Sequence, residues 1–191
     1  MRKCDWALSS SSEEKYHDLE WGVPVHDDGL LFEFLILEGA QAGLSWSTIL
    51  NKRQGYRNAF DDFNAEKIVQ YDPKKVLQLL NNPEIIRNKL KVNAAINNAK
   101  AFLKIQQQYG NFERYIWQFV DRKSIQNNWQ QFNQIPVTTK ESEQMSKSLK
   151  QNGFKFVGAT ICYAYMQAVG MVNDHTVDCF RHKQIKEMAG E

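Results

Sequence analysis

The stretch KVNAAINNAKAFLKIQQQYG, residues 91–110, has the period of a helix with one apolar face. Gly110 is a typical residue to end such a helix, because glycine adopts the left-handed backbone conformation without steric cost. The stretch therefore predicts an amphipathic helix that stops at Gly110. Its apolar stripe consists of Val92, Ala95, Ile96, Ala99, Phe102 and Leu103.

Helical spacing continues on both sides of this stretch. Ser45 is a suitable N-cap for a helix over residues 45–63, and an Asp or Asn before proline predicts helix starts at Asp72 and at Asn82. The polar stretch 121–139 predicts a long surface loop. No segment alternates as a strand does over any length, so we expect an all-α fold with short connections. Three more helices are predicted within residues 112–120, 141–153 and 158–170.

Length and composition limit the class of protein. The 191 residues suit one domain, or two small lobes that share a core, and 42% hydrophobic content indicates a folded chain. The longest apolar run, LLFEFLILEGA, is too short to span a bilayer and contains Glu33 and Glu38. The N-terminus lacks a signal peptide, so we expect a cytoplasmic protein without membrane association. The net charge of +2 neither requires nor excludes nucleic acid.

A histidine and a cysteine stand four residues apart in NDHTVDCF, residues 173–180. On a helix, His175 and Cys179 would share one face and could form half of a metal site. The other half is open at this point: His26 with His182 is one option, and Cys4 with His17 is an equal one. The alternative is that these are ordinary thiols and surface histidines.

Four further stretches, in this order along nearly the whole chain, resemble the bacterial 3-methyladenine DNA glycosylase I family. They are YHDLEWGVP (16–24), LEGAQAGLSWSTIL (37–50), GFKFVGATICYAYMQAVG (153–170) and VNDH (172–175) followed by Cys179. The resemblance implies one glycosylase unit over residues 1–191 with a helix-hairpin-helix glycosylase fold. Such a unit can divide into two helical lobes, one formed by the termini and first helices, the other by the central hairpin.

The resemblance also implies a metal site. In the family a structural zinc ion joins the N- and C-terminal segments through two cysteines and two histidines. These positions match Cys4, His17, His175 and Cys179 here. We therefore expect one structural Zn²⁺ per chain, held by a closed ligand set with no open coordination position.

The implied helical hairpin lies in NPEIIRNKLKVNAAINNAKAF, residues 82–102, with a short first helix and a turn near residues 88–90. Backbone N–H groups at this turn, with Arg87, Lys89 and Lys91, are expected to bind a DNA phosphate. The sequence lacks the glycine-rich turn usual in the superfamily. An ordinary solvated basic helix face is the alternative.

The resemblance places Glu38, Tyr16, Trp46 and Trp6 around a flipped base, with Glu38 as an acceptor for adenine and the only acid we consider for catalysis. Taken alone, Glu38 could be a solvated helix end and Trp46 a core residue. Glu13 replaces an aromatic residue often found at this position in the family. No aspartate matches the essential aspartate that many helix-hairpin-helix glycosylases place after the hairpin.

Gln41, Gly43 and Leu44 form a turn that could fill the gap left by a flipped nucleotide, or could be an ordinary interhelical loop. The expected function is monofunctional hydrolysis of the N-glycosidic bond of 3-methyladenine in alkylated double-stranded DNA, by base flipping into the aromatic pocket. We expect a monomer that releases free 3-methyladenine. One competing hypothesis is a DNA-binding module without turnover, and the other is a lyase that uses Lys89 or Lys91 as an amine nucleophile.

Overall fold

Helices dominate residues 1–190, the part of the chain that the computed structural model describes. Four short 3₁₀ segments, Asp5–Ser9, Asp61–Phe63, Trp117–Val120 and Phe132–Gln134, link some of them. The all-α expectation is confirmed. The α-helices are α1 (Ser11–Leu19), α2 (Asp28–Gln41), α3 (Trp46–Ala59), α4 (Ala65–Ile68), α5 (Pro73–Asn81), α6 (Lys89–Tyr109), α7 (Phe112–Ile116), α8 (Lys140–Gln151), α9 (Ala159–Ala168) and α10 (Phe180–Met188).

Helix α2 runs through the core. It is apolar on every side, and each residue from Leu31 to Ala40 is buried, because α3, α6, α7 and α9 all pack against it. Its one charged residue in mid-helix, Glu33, accepts hydrogen bonds from Arg53 Nε at 2.5 Å and Arg57 Nε at 3.1 Å. This contact pairs the buried charge of Glu33 with the arginines of α3.

Two of the predicted helix starts are confirmed and one is wrong. The Ser45 and Asp72 side chains accept hydrogen bonds from the backbone N–H groups of Thr48 and Lys75, which fixes the starts of α3 and α5. Asn82 does not start a helix. Residues 82–88 form a turn and irregular backbone, and α6 begins only at Lys89. The short first helix expected for the hairpin is therefore absent, and residues 82–88, which we call the hairpin turn, connect α5 to α6.

The hairpin turn packs closely on α3. A Cβ atom at Gly55 would lie 2.4 Å from the carbonyl oxygen of Glu84, so only glycine allows this approach. Lys52 Nζ donates to the carbonyl oxygen of Pro83 at 2.7 Å, and Tyr56 Oη accepts from the Ile86 N–H at 3.3 Å. These tertiary contacts replace the helix that the Asn-Pro pair predicts.

The polar stretch 121–139 is mostly irregular, as expected. Its strand β1 (Ile125–Gln126) pairs in parallel with β2 (Val172–Asn173), where Ile125 faces Val172. This two-residue pair brings the middle of the loop beside the segment that follows α9. None of the helices described is long and apolar enough to cross a membrane.

Candidate active site and metal centre

Cys4, His17, His175 and Cys179 meet in the interior. All four are buried, and their ligand atoms lie within 4.8 Å of one another. Cys179 Sγ is 3.3 Å from His17 Nε2 and 3.6 Å from His175 Nδ1, and Cys4 Sγ is also 3.6 Å from His175 Nδ1. Tetrahedral zinc with its usual bond lengths places sulfur and nitrogen ligands about 3.5 Å apart. The arrangement therefore fits a tetrahedral metal ion.

The expected helical pairing of His175 with Cys179 is wrong. His175 lies in the irregular segment between β2 and α10, and Cys179 is the residue that precedes α10. Cys4 directly precedes the 3₁₀ segment Asp5–Ser9, and only His17 lies on a helix, α1. The turn after β2, and not a helix, brings His175 and Cys179 together. The four-residue spacing therefore identified the correct pair, although the local structure predicted for it was wrong.

Outer contacts orient both histidines. His17 Nδ1 is 2.8 Å from Asp18 Oδ1, and His175 Nε2 is 3.0 Å from the Trp21 carbonyl oxygen. Each contact leaves the other ring nitrogen directed at the sulfur atoms, which is the usual outer shell of a metal site. The pKa of Cys179 is lowered to about 2, chiefly by the side-chain contact with Cys4 and then by the contacts with the two histidine rings. A thiolate is the form that binds metal.

A cleft of about 410 Å³ lies between the cluster and the end of α2. It is largely aromatic and apolar, as small-molecule sites usually are. The stretch 121–139 closes one side of it. The lining residues are Trp6, Glu13, Tyr16, Trp21, Glu38, Gln41, Trp46, Phe132, Ile135, Pro136, Val137, Thr160, Tyr163, Ala164 and Gln167.

Glu38 reaches this cleft from the last turn of α2. It is only 4% exposed, which excludes the solvated helix end, and its Oε2 has no hydrogen-bond partner within residues 1–190. Burial raises the pKa of Glu38 to about 8. A buried acceptor without a partner is costly, so its presence in a cleft indicates a function.

Three aromatic rings surround this carboxylate. The ring centroids of Tyr16 and Trp46 are 5.4 Å apart, and those of Trp6 and Tyr16 are 6.4 Å apart. The indole N–H groups of Trp6 and Trp46 are buried and, like Glu38 Oε2, have no partner in the described part of the chain. Burial, followed by the nearby Glu38, holds the pKa of Tyr16 well above its ordinary value. A planar, cationic ligand would satisfy such a site.

Comparison with known proteins identifies the family. The sequence model of the family described as Methyladenine glycosylase matches residues 6–182. The chain belongs to the methyladenine glycosylase family. It is 44% identical over 179 residues to DNA-3-methyladenine glycosylase 1 of Escherichia coli (strain K12), which covers 94% of this chain and 96% of that protein.

Solved structures agree with this assignment to the methyladenine glycosylase family. A crystal structure of a 3-methyladenine DNA glycosylase I has a TM-score of 0.91 at 45% identity and covers 94% of this chain and 98% of its own. A single-site variant of such a glycosylase in complex with 3-methyladenine has a TM-score of 0.91 at 35% identity, covering 94% and 97% of the two chains.

The α9 side of the cleft was not predicted from the sequence. Tyr163 and Gln167 on α9 line the cleft, and each donates a hydrogen bond to Asp174 at 2.7 Å. Asp174 is 1% exposed and also accepts from Asn127 Nδ2 and Trp129 Nε1 at 2.7 Å. Four side chains donate hydrogen bonds to this carboxylate. Asp174 therefore holds α9 and the stretch 121–139 together beside the cleft of this methyladenine glycosylase. The contacts from Asn127 and Trp129 span 47 and 45 residues, which a local sequence pattern cannot signal.

The expected DNA-inserting turn follows α2 directly. Gln41 lines the cleft, Gly43 has a φ of +79° that favours glycine, and Leu44 is 40% exposed. An exposed leucine on a turn beside the cleft has the form of a wedge for a base stack. Glu13 also lines the cleft, and its carboxylate accepts from Ser10 Oγ at 2.9 Å.

The three basic residues of the hairpin differ in their surroundings. Arg87 and Lys89 are exposed, whereas Lys91 Nζ donates to the carbonyl oxygens of Ala40 at 2.8 Å and Ala42 at 2.7 Å. The Lys91 amine is therefore already occupied, which argues against the expected phosphate contact. The Asn88 side chain accepts from the N–H groups of Leu90 and Lys91, so two donors of the α6 N-terminus are occupied as well.

Proposed function

We propose that this protein is a monofunctional DNA glycosylase that hydrolyses the N-glycosidic bond of 3-methyladenine in alkylated double-stranded DNA. One observation carries the proposal: a buried, unpartnered carboxylate, Glu38, at the end of a cleft built by Trp6, Tyr16 and Trp46. Membership of the methyladenine glycosylase family supports the same activity.

The cleft suits this substrate because adenine methylated at N3 and still attached to deoxyribose is a cation. Each favourable aromatic face stabilises a desolvated cation by about 1–2 kcal/mol. The cation also favours the ionised form of Glu38, whose pKa burial otherwise raises to about 8. The carboxylate then accepts hydrogen bonds from the exocyclic amine and ring edge, which selects adenine over bases without that donor.

The positive charge weakens the glycosidic bond. When the bond breaks, its electron pair goes to the base, which leaves as neutral 3-methyladenine. Water supplies the hydroxyl group that bonds to the sugar carbon and loses one proton. The base therefore needs no strong general acid, in keeping with a site where Glu38 is the one catalytic acid that we assign.

Contacts to the DNA divide between two regions. Leu44, with Gln41 and Gly43, would fill the space left by the flipped nucleotide. Arg87 and Lys89 beside the hairpin turn would contact phosphates, which orient the protein without reading the base. We propose a monomer that works in the cytoplasm as one unit, with a terminal lobe and a hairpin lobe around the cleft.

We also propose one structural zinc ion bound by Cys4, His17, His175 and Cys179. Their burial and their sulfur–nitrogen distances of 3.3–3.6 Å support this metal. Bound zinc would supply a cross-link between the first and last segments of the sequence, with no open position for substrate.

Neither lysine of the lyase hypothesis fits a nucleophile. Lys89 and Lys91 do not line the cleft, and Lys91 is held by two carbonyl oxygens. Borohydride treatment during the reaction should therefore trap no covalent adduct with DNA, whereas a trapped adduct would support a lyase.

Base-release analysis on methylated double-stranded DNA tests the activity directly. We expect release of 3-methyladenine, with 7-methylguanine and 3-methylguanine measured separately in the same samples. The Glu38→Gln variant is the matched control, because it keeps the shape of the side chain. Binding of methylated DNA without release of any base would instead support a DNA-binding module and refute the proposal.

A further inference from the structure

Lys91 lies in the first turn of α6 and reaches another helix. Its Nζ donates to the carbonyl oxygens of Ala40 and Ala42, at 2.8 and 2.7 Å, at the C-terminal end of α2. The last carbonyl groups of a helix lack partners within it, and a cation is favoured there by the helix dipole. Lys91 thus caps α2 from outside.

The capped end of α2 holds the functional groups of the proposed cleft. Glu38 precedes Ala40 by two residues, and Gln41 and the turn with Leu44 follow it. A displacement of this helix end would move the carboxylate and the wedge together.

The other end of the link is the hairpin. Lys91 is two residues from Lys89, and the hairpin turn is fixed to α3 by the contacts of Lys52 and Tyr56. Since α3 begins at Trp46, the hairpin is attached to two of the helices that line the cleft, to α3 through the hairpin turn and to α2 through Lys91.

We propose that Lys91 is a positioning residue that links the hairpin's grip on the DNA backbone to the placement of Glu38. This inference rests on the proposed function. Lys91 touches neither the base nor the phosphate in this arrangement, and it acts through the carbonyl groups of α2. Hairpin, wedge and carboxylate then engage a damaged duplex as one rigid unit.

Substitution by methionine separates this role from a phosphate contact, because methionine keeps most of the apolar stem and loses the donors. The matched control is Lys89→Met, two residues away on the exposed side. For each variant, excision is measured in single turnover at saturating methylated DNA, and affinity for undamaged duplex DNA is measured at several salt concentrations.

We expect Lys91→Met to slow excision at saturating DNA by about ten- to 100-fold, since a misplacement of about 1 Å at a reacting group can cost that much. Its salt dependence of binding should equal that of the unaltered protein. Lys89→Met should instead show a slope of log affinity against log salt that falls by about one, because it removes a phosphate contact.

Unaltered excision by Lys91→Met overturns the proposal, even if the variant melts at a lower temperature, because that result describes a purely stabilising contact. A salt slope that falls by about one in this variant overturns it too. Failure of the unaltered protein to release any base would refute the proposed function itself, and is thus distinguishable from failure of the link.

A measurement on the unaltered protein covers the case in which Lys91→Met does not fold. Amide exchange in the last turn of α2, residues 37–40, is compared with and without undamaged duplex DNA. These residues are buried and do not belong to the wedge turn. Slower exchange on DNA binding supports the link, and unchanged exchange overturns it.

Discussion

The Cys/His cluster and the aromatic cleft bury polar groups in opposite ways. In the cluster, both histidine rings have an outer partner, Asp18 for His17 and a backbone carbonyl for His175. In the cleft, Glu38 Oε2 and the indole N–H groups of Trp6 and Trp46 have none within residues 1–190. An unmade hydrogen bond costs more than a made one contributes. The protein itself supplies partners to the histidine rings of the cluster, whereas a ligand would have to supply them in the cleft.

The strongest test of this contrast removes one cluster ligand. Cys179→Ala should lower the free energy of unfolding by about 4 kcal/mol or more, because loss of a metal is among the most destabilising changes. Metal analysis and denaturant unfolding measure it, and we expect less than about half an equivalent of zinc per chain in the variant.

Cys162→Ala is the matched control, since Cys162 is a buried thiol outside the cluster. It should cost about 1 kcal/mol and leave the zinc in place. If Cys179→Ala abolished excision while its stability stayed unaltered, the metal would be catalytic and the contrast between the two regions would fail.

The next largest effect is expected in the cleft, where buried polar groups lack hydrogen-bond partners. Glu38→Gln should slow excision by about five- to 150-fold, because an unmet buried polar group costs about 1–3 kcal/mol. Base release in single turnover measures it, with a thermal melt to show that the variant is folded. Glu13→Gln, in the same cleft but bonded to Ser10, should have a smaller effect.

Trp46→Ala separates charge from stacking. Loss of the ring should impair binding of both neutral and cationic adenine ligands, since both lose stacking and the cation also loses a cation–π contact, whereas Glu38→Gln should impair chiefly the cationic ligand. Wild-type excision and binding by Glu38→Gln would show that the buried carboxylate has no part in the reaction.

A third test uses stability instead of activity. Folded Glu38 keeps its proton up to a pKa of about 8, above its ordinary value of 4.5. Between these values the folded state holds a proton that the unfolded state has lost, so stability from this group falls as pH rises. Glu38→Gln lacks this loss and should gain stability relative to the unaltered protein by about 1.4 kcal/mol for each pH unit between pH 5 and about pH 8.

Thermal melts of both proteins across this pH range measure the gain. In a chain of this size, each kcal/mol raises the melting temperature by about 2–4 °C. Effects of pH on the cluster cancel in the comparison. A constant difference in melting temperature at all pH values would mean that Glu38 is solvated in the folded protein.

The smallest expected effect lies on the surface. Lys89→Ala should reduce the slope of log DNA affinity against log salt by about one, since it removes one phosphate contact. The identity of the released base should not change, because the cleft and not the hairpin selects it. Binding assays at several salt concentrations measure the slope. A changed base preference would contradict the proposal that the cleft selects the base and the hairpin contacts only phosphate.

Local chemistry determined what the sequence could predict about the fold. The caps at Ser45 and Asp72 depend on neighbours three residues away, and both were predicted correctly. Asn82 and Pro83 carry the same local signal, yet contacts of the hairpin turn with Gly55 and Tyr56 on α3 prevail there. Tertiary contacts between distant residues are invisible to a local pattern.

The same limit applies to the candidate site. Glu38, Tyr16, Trp46 and the four cluster residues could be named because their stretches resemble a known family. Residue spacing alone left the second pair of ligands open. Asp174 and the partners of Lys91 could not be found, since their contacts span 45 and 51 residues in sequence.

The cluster also depends on the order in which its residues are synthesised. Cys4 and His175 are separated by 171 residues, so at ribosomal speeds of about 5–20 residues per second the first sulfur waits roughly 10–30 s for its partner nitrogen. Until then the nascent chain contains only Cys4 and His17 of the four cluster residues. A chain truncated before His175 lacks two of the four cluster residues, so the cluster cannot close. Closure therefore requires synthesis to reach Cys179.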